Sequence, residues 1–591
     1  MTEEVGDPAG PAAARPCFLE VAASISGKRW EARAGEGRLA RALAQQFDLP
    51  EIVGRVLAGR GVTPDLAAHY LNPSLRQDLP DPSGFRDMDR AAGRLAEAVL
   101  AGEPVALFGD YDVDGATSAA LLARFLRAVG GTVRIYIPDR SLEGYGPNAA
   151  ALARLRAEGH GLVVCLDCGT TAFEALEAAA GLGLETLVVD HHTAEPRLPP
   201  SLAVVNPNRL DESGACGQLA AVGVTFLLAV ALNRELRRRG AYGADRSEPD
   251  LRRWLDLVAL GTVCDVVPLT GLNRTLVARG LAVLAARGNP GLAALCDVAG
   301  VAERPGPYHL GFLLGPRINA GGRIGQADLG AQLLTTEAPA EAARIAAELD
   351  ALNAARRDLE AAVLAEAQAQ LAAEAPAEGL VFAAGQDWHP GVVGIVASRL
   401  VEQYDRPALV IALDESGTGK GSGRSVPGVD LGAAVIAGRQ AGVLAEGGGH
   451  PMAAGVTIAP GRLAEARAFL AERLGRALSA GAYVPTLGFD GAVQPGGATL
   501  ELVETLARLG PFGAGNAEPR FALPRARVRG AGVVGKGHVR FEAQGADGAR
   551  IKAIAFRAAE TPLGAALLQA DGRPLHLAGK LRVDSWSGRD R

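Results

Sequence analysis

"PVALFGDYDVDGATSAALLARFLRAVG", Pro104–Gly130, sets an apolar run against three aspartates at alternate positions, Asp110, Asp112 and Asp114. The run before the acids reads as a buried strand, and the stretch after them as a helix with one apolar face. Neighbouring carboxylates repel, and a buried one loses its hydration, so three together call for a cation. An EF-hand loop opens with D-x-D-x-D-G, but its twelfth position should be glutamate and is Leu121 here. Its incoming helix is also replaced by a strand. Other ligands must come from elsewhere in the chain.

Working outward, the strand-like runs "TVRIYIP", "LVVCLD" and "ETLVVD" alternate with the helical patterns "PNAAALARLRAEG" and "TAFEALEAAAGLG". That order predicts an α/β fold with a parallel sheet covered on both faces. Ligands of such sheets gather at the carboxyl ends of the strands. The first strand ends in Asp110, Asp112 and Asp114, the third in Asp167, and the fourth in Asp190-His191-His192. Asp265, in "GTVCDVVPL", follows an apolar helix and can fold back to the same edge. Carboxylate oxygens with imidazole nitrogen suit Mn²⁺ or Mg²⁺. The carboxylates are too many for one ion. A shared one bridging two ions ~3.5–4 Å apart would serve phosphoryl chemistry.

At 591 residues the chain is long enough for three or four domains of about 150 residues each. The net charge of −6 neither points to nucleic acid nor excludes a local basic channel. Six cysteines lack framework spacing, which fits a reducing cytoplasm; Cys165 and Cys168 lie in a strand-like run and read as buried structural residues. The acidic, proline-rich start does not read as a signal peptide, and the longest apolar run, "VGVTFLLAVAL", is about half a membrane span.

Residues 1–80 read as a small helical region and 81–335 as the parallel-sheet domain. Residues 336–377 read as a long connecting helix without internal Gly or Pro, ~50 Å long. A second α/β domain is expected over 378–480 and a small β-barrel over 481–591. The glycine-rich "GSGRSVPG" offers backbone N–H groups and the Arg424 fork, so Ser422 and Arg424 are candidates for gripping a terminal 5′ phosphate. His450, in "EGGGHPMAAG", is expected to face the same cleft. "GTGKGS" is not a phosphate-binding P-loop, because Asp414 stands five residues before Gly419 and Gly421 follows Lys420.

"DYDVDGATS", "LDCGTT", "VVDHHTAE" and "GTVCDVVPL" resemble the motifs of the DHH phosphoesterase superfamily. "IPDRSLEGYG", "GPRINAGGRIG", "DWHPGVVGIVASRL", "GSGRSVPG", "GGGHPMAAG" and "LGPFGAGNAEPRF" narrow the resemblance to its single-strand-specific 5′→3′ exonucleases, from about residue 100 to 525. The resemblance implies Asp112, Asp114, Asp167, His191 and Asp265 as metal ligands, with Asp110, Asp190 and His192 acting beside them. Many members carry a histidine ligand two residues before the first aspartate; here that position is Phe108, and Asp110 is expected to compensate. It places Arg140 and Arg323 in the cleft with Arg424. It makes the second lobe a DHH-associated domain and the tail an oligonucleotide-binding (OB) fold. Phe541, Phe556 and Trp586 are candidates for base stacking or core. The chain stops at "DSWSGRDR", where one more strand is expected, so the barrel should stay open or close differently.

The implied reaction is hydrolysis of single-stranded DNA from its 5′ end to mononucleotides, in repair and recombination. A helicase and a single-strand-binding protein would be partners of a cytoplasmic monomer with no membrane association. A small-molecule or short-oligonucleotide phosphoesterase uses the same metal site but needs neither spacer nor barrel. A scaffold that has lost its ions would not keep ligand-type residues at all five positions.

Overall fold

Val105–Gly109 forms strand β1, buried along its whole length because both faces are covered. The computed structural model describes residues 16–33, 35, 37–140, 142–374, 379–481, 483–570 and 572–583. Four further strands, β2 (Val133–Tyr136), β3 (Leu162–Leu166), β4 (Glu185–Val189) and β5 (Ala203–Val205), join β1 in the order β2-β1-β3-β4-β5, every pair parallel. Side-chain alternation assigns the two faces. Leu107, Val164 and Val189 pack under helices α1 (Val113–Ala128) and α2 (Ala221–Arg238). Ala106, Phe108, Val163 and Cys165 pack under Ala149–Ala157 and Phe173–Gly181. β5 was not anticipated; three residues are too few to display a period.

Helix α3 (Leu255–Cys264) lies close to α1 because Gly261 is bare; a Cβ there would stand 2.3 Å from Thr117 Oγ1. Helix α4 (Gly315–Ile324) follows a π-helical turn, His309–Leu314. Helix α5, Pro339–Ala373, runs 35 residues, ~50 Å. Its first half gives Ile345 and Leu349 to the core of the parallel-sheet lobe. Its second half gives Val363, Ala367 and Leu371 to the core of a second lobe. One unbroken rod therefore belongs to both cores.

The second lobe is a mixed sheet of β6 (Val381–Gln386), β7 (Ala408–Leu413), β8 (Gly419–Arg424), β9 (Glu446–His450) and β10 (Ala453–Ile458), ordered β9-β10-β8-β7-β6. Only β6 and β7 run parallel. Helix α6 (Pro390–Tyr404) packs on it.

These two lobes form one compact unit, Pro73–Ala480 with Pro511–Ala517. The remaining segments form a second unit. Within it Arg29–Ala32 pairs in parallel with Thr486–Phe489, and Trp30 packs 4.4 Å from Phe489. The N-terminal region, expected to be helical and separate, thus contributes a strand beside the tail as well as helices. The tail turns on one long strand, Phe521–Val534, which pairs with Gly491–Ala492, His538–Gln544 and Pro574–Gly579. A register shift between Leu523 and Ala526, with Arg525 at φ 52°, bends it. Phe541 is core at 8% exposure, whereas Phe556 stands 71% exposed. Trp586 and the rest of the terminal "DSWSGRDR" from residue 584 lie outside the described residues.

Candidate active site

Each acid of the sheet edge is delivered by backbone pairing that continues one residue past its strand. Asp110 N donates to Leu166 O, Asp167 N to Val189 O, and Asp190 N to Val205 O, at 3.0–3.2 Å. Asp112 caps α1, its Oδ1 accepting from Asp114 N (2.8 Å) and Gly115 N (3.1 Å). Asp265 closes α3, its N–H donating to Gly261 O. The next residue, Val266, sits at φ 62°, a strained setting for a β-branched side chain, and turns the chain away. Asp167 also has positive φ, 62°.

Three sets of potential ligand atoms result, each within 4.8 Å of one another: Asp110, Asp112 and Asp167; Asp114, His191 and Asp265; and Asp167, His191 and His192. His191 Nε2 stands 3.4 Å from Asp167 Oδ1 and 3.7 Å from Asp265 Oδ2. Its backbone-directed bond goes to Leu219, which leaves Nε2 facing the acids. Buried Asp110 Oδ1, Asp167 Oδ1 and Asp265 Oδ2 have no hydrogen-bond donor among the described residues. Orphaned buried carboxylate oxygens facing one another fit divalent cations and little else.

The electrostatics agree. Burial, then Asp112, pushes Asp110 well above the carboxylate range; burial, then Asp114 and Asp112, does the same to Asp167. Burial and Asp112 push Asp114 to about 7, and burial with Asp114 and Asp112 pushes Asp265 to about 9. Burial also raises Asp190, but hydrogen bonds from His192 and Thr170 outweigh it and hold its pKa far below normal. Asp190 therefore stays ionised, with His192 Nδ1 2.7 Å from its Oδ1, and this pairing raises His192 against its burial.

Two placements add detail to the expected set. Asp114, expected as a ligand, stands in one of these sets, and its oxygens also accept from the start of α2, from Ala221 N (2.7 Å) and Val222 N (2.9 Å). Asp110, expected beside the ligands, keeps a free oxygen among them. Phe108 points to the opposite sheet face, fully buried and stacked on Tyr136 at 5.3 Å.

Beside the carboxylates lies a cavity of about 210 Å³ lined by Asp139, Arg140, Gly322, Arg323, Ile324 and His389, among others. The two regions meet at Tyr111, between Asp110 and Asp112. Gly322 lies against Tyr111 O, where a Cβ would stand 2.6 Å away, and the Arg140 guanidinium lies 5.2 Å from the Tyr111 ring centroid. Arg424 Nη1 donates to Ser422 Oγ at 2.9 Å, and a Cβ on Gly394 of α6 would stand 3.1 Å from Arg424 Nη2. Burial, then Arg140, Arg356 and Arg424, lowers Arg323 to about 10; burial and Arg140 lower Arg424. Among the described residues Arg140, Arg323 and Arg424 form no ion pair. His450 is exposed at the end of edge strand β9, and no described side-chain bond joins it to these arginines.

Residues not singled out in the sequence also line the site. Tyr145 O–H donates to Asp167 O at 3.3 Å and its ring meets His192 edge-on at 6.0 Å. Asn206 and Asn208 donate to His192 O (2.8 Å) and His191 O (2.5 Å), fixing the histidine backbone. Tyr145 and His389 both stood in motifs already noted, "EGYG" and "DWHPGVVG"; the asparagines follow the unrecognised β5.

Three family models match the chain: the DHH family N-terminal domain over residues 104–262, the DHHA1 domain over 377–476, and the RecJ OB domain over 489–591. The single-stranded-DNA-specific exonuclease RecJ of Dickeya dadantii is 36% identical over 92% of this chain and 94% of its own length. The chain belongs to the RecJ family. The crystal structure of Thermus thermophilus RecJ with Mn²⁺ superposes with a TM-score of 0.77 at 30% identity, over 94% of this chain and 76% of that one. The Mg²⁺ complex of that RecJ gives 0.70 at 29%, over 94% and 75%. The α/β architecture, with DHH, DHH-associated and OB domains in that order, is that of RecJ proteins.

Proposed function

We propose that the chain hydrolyses single-stranded DNA stepwise from the 5′ end, releasing mononucleotides, with Mn²⁺ or Mg²⁺ as cofactor. One observation carries this reading: a set of orphaned carboxylate oxygens lies near arginines that form no ion pair among the described residues, with Tyr111 in contact with Gly322 and Arg140 at the junction. The first set calls for cations and the second for an anion.

Asp110, Asp112, Asp167, His191 and Asp265 would hold the ions, with Asp114 anchoring α1 to α2 and contributing charge beside them. Bound divalent ions supply Lewis acidity to the phosphoryl oxygens and make water a competent nucleophile near neutral pH. Arg140, Arg323, Ser422 and Arg424 would grip the terminal 5′ phosphate and so fix which phosphodiester reaches the carboxylates. His192, whose pKa is raised by its contact with Asp190, would hydrogen-bond a non-bridging oxygen of that phosphodiester and stabilise its developing charge. Tyr145 orients His192. Cleavage of the P–O3′ bond leaves the new phosphate on the shortened strand, which becomes the ligand of the arginine pocket in the next turn. His450, exposed on the β9 edge, is assigned to the path of the strand rather than to this pocket.

No helix among the described residues is long and apolar enough to cross a membrane. Its reduced cysteines fit a cytoplasmic protein acting in repair and recombination, as a monomer. A helicase would supply the unpaired end and a single-strand-binding protein would protect the remainder.

A time course on 5′- and 3′-labelled strands tests the reading. With Mn²⁺, 5′ label should appear at once as mononucleotide while 3′ label shortens gradually; chelator should abolish both. Chelator-insensitive cleavage, internal cuts, or faster hydrolysis of a dinucleotide than of a long strand would each refute it.

A further inference from the structure

His389 stands at the head of helix α6, and its ring lines the arginine cavity. Its Nδ1 accepts from Gly391 N–H at 3.0 Å, capping the helix. That bond fixes the tautomer: in a neutral ring, the single proton must sit on Nε2. Burial and the Arg140 charge lower its pKa, which keeps the ring neutral at pH 7. The Gly391 peptide is held from the other side as well, its carbonyl accepting from Arg323 Nη1 at 2.8 Å. A side chain on Gly391 would press on Arg323 O (2.8 Å) and on His389 Nδ1 (2.9 Å). The first turn of α6, from the second lobe, is thereby locked to Arg323, from the first.

We propose that His389 is a specificity-determining residue of this pocket: its Nε2–H donates to the terminal 5′ phosphate. The proposal rests on the arginine pocket being the 5′-phosphate site. A protonated imidazole would be a fourth cation against three arginines. A neutral donor adds a directed hydrogen bond without adding repulsion in the empty pocket. An asparagine or serine could cap α6 equally well, but neither extends a donor as far as Nε2. The imidazole therefore does something beyond capping.

The test compares kcat/KM on matched strands bearing 5′-phosphate or 5′-hydroxyl, for the parent enzyme, H389N and R424A, all with Mn²⁺. Asn keeps the cap and removes the distal donor. H389N should lower kcat/KM on the phosphorylated strand by ~10- to 100-fold, the value of one hydrogen bond to a charged group. Activity on the hydroxyl strand should stay within about twofold, the scale of a substitution that touches neither fold nor chemistry. H389S serves the same comparison should H389N fail to fold. An unchanged phosphate preference, or equal losses on both strands, would reduce His389 to a cap and overturn the proposal. Loss of preference in R424A but not in H389N would do so while leaving the pocket reading intact. If R424A also keeps the parent's preference, the pocket itself is misassigned and both fail.

Discussion

Metal binding should be tightly linked to proton release, and the burial of the carboxylates sets the scale. In the metal-free protein Asp114 titrates at about 7 and Asp265 at about 9, both raised by burial and by neighbouring aspartates. Ions held by Asp265 and placed beside Asp114 favour the ionised form of both. At pH 7 Asp265 is almost fully protonated and Asp114 half protonated, so binding should expel about 1.5 protons from this pair alone. Between pH 7 and pH 8 the apparent affinity for Mn²⁺ should therefore rise at least ~10-fold. The same shifts fix the sign of metal-free stability. A carboxyl whose folded pKa lies above its unfolded value of 3.8 binds more protons when folded, so stability falls as pH rises through the interval between the two. For Asp114 alone that is roughly 4 kcal/mol lost between pH 4 and 7. Calorimetric titration of Mn²⁺ in buffers of different ionisation enthalpy measures the protons, and melting in chelator from pH 5 to 9 measures the stability. Affinity independent of pH, with metal-free melting that rises toward pH 9, would refute the electrostatic account of the site.

Asp167→Asn should cut turnover ~1,000-fold or more, as several kcal/mol of charge stabilisation is lost. It should also raise the melting temperature in chelator, because Asn tolerates φ 62° and removes one like charge; a lower metal-free melting temperature would count against this. Phe541→Ala should destabilise its unit by ~3–5 kcal/mol. Phe556→Ala should leave melting unchanged and weaken single-strand binding by ~1–3 kcal/mol, read by fluorescence anisotropy; the reverse pattern would misplace the stacking surface. Asp256, 1% exposed, is raised by burial to about 6, against its bond from Leu257 N and the charge of Arg124. Its folded pKa exceeds 3.8, so it costs up to ~3 kcal/mol once pH passes 6, and Asp256→Asn should stabilise at pH 7 but not at pH 4. Denaturant melts at the two pH values decide it.

The sheet edge was legible because each signal was local. "PVALF" has no polar residue to expose, so it must be central, and the acids then fall at its carboxyl end whatever the family. The long helix was legible for a similar reason: nothing between Pro339 and Ala373 interrupts it. What escaped depends on partners distant in the chain. Asp114 gave no sign that its oxygens would be taken by N–H groups 107 and 108 residues away. Nor could the alternation in Arg29–Ala32 reveal that its parallel partner begins at Thr486. Phe541 and Phe556 are intermediate cases. In "HVRFEAQ" the inward set Val539, Phe541 and Ala543 follows a strict period of two, whereas Phe556 lies just beyond strand Arg550–Ala555 and belongs to no period.

The strongest sign that this cleft is built for a ligand is a pairing that does not form. Aspartates with too much negative charge and arginines with too much positive charge stand close enough that Tyr111 feels both. Burial raises its pKa first, after which Arg140 and Arg323 pull it down while Asp110 and Asp112 push it up. Ion pairs between the two groups would relieve both at once, and truncating neither would then be tolerated. Yet no described ion pair links them. The Tyr111 ring carries Arg140 over its face, bare Gly322 lets α4 lie against Tyr111, and Arg323 is committed to Gly391. Folding alone gains nothing from holding opposite charges apart at such cost. A nucleotide end with its cations supplies both missing partners, an anion for the arginines and metal for the acids, and does so only where a terminal phosphate and a phosphodiester arrive together.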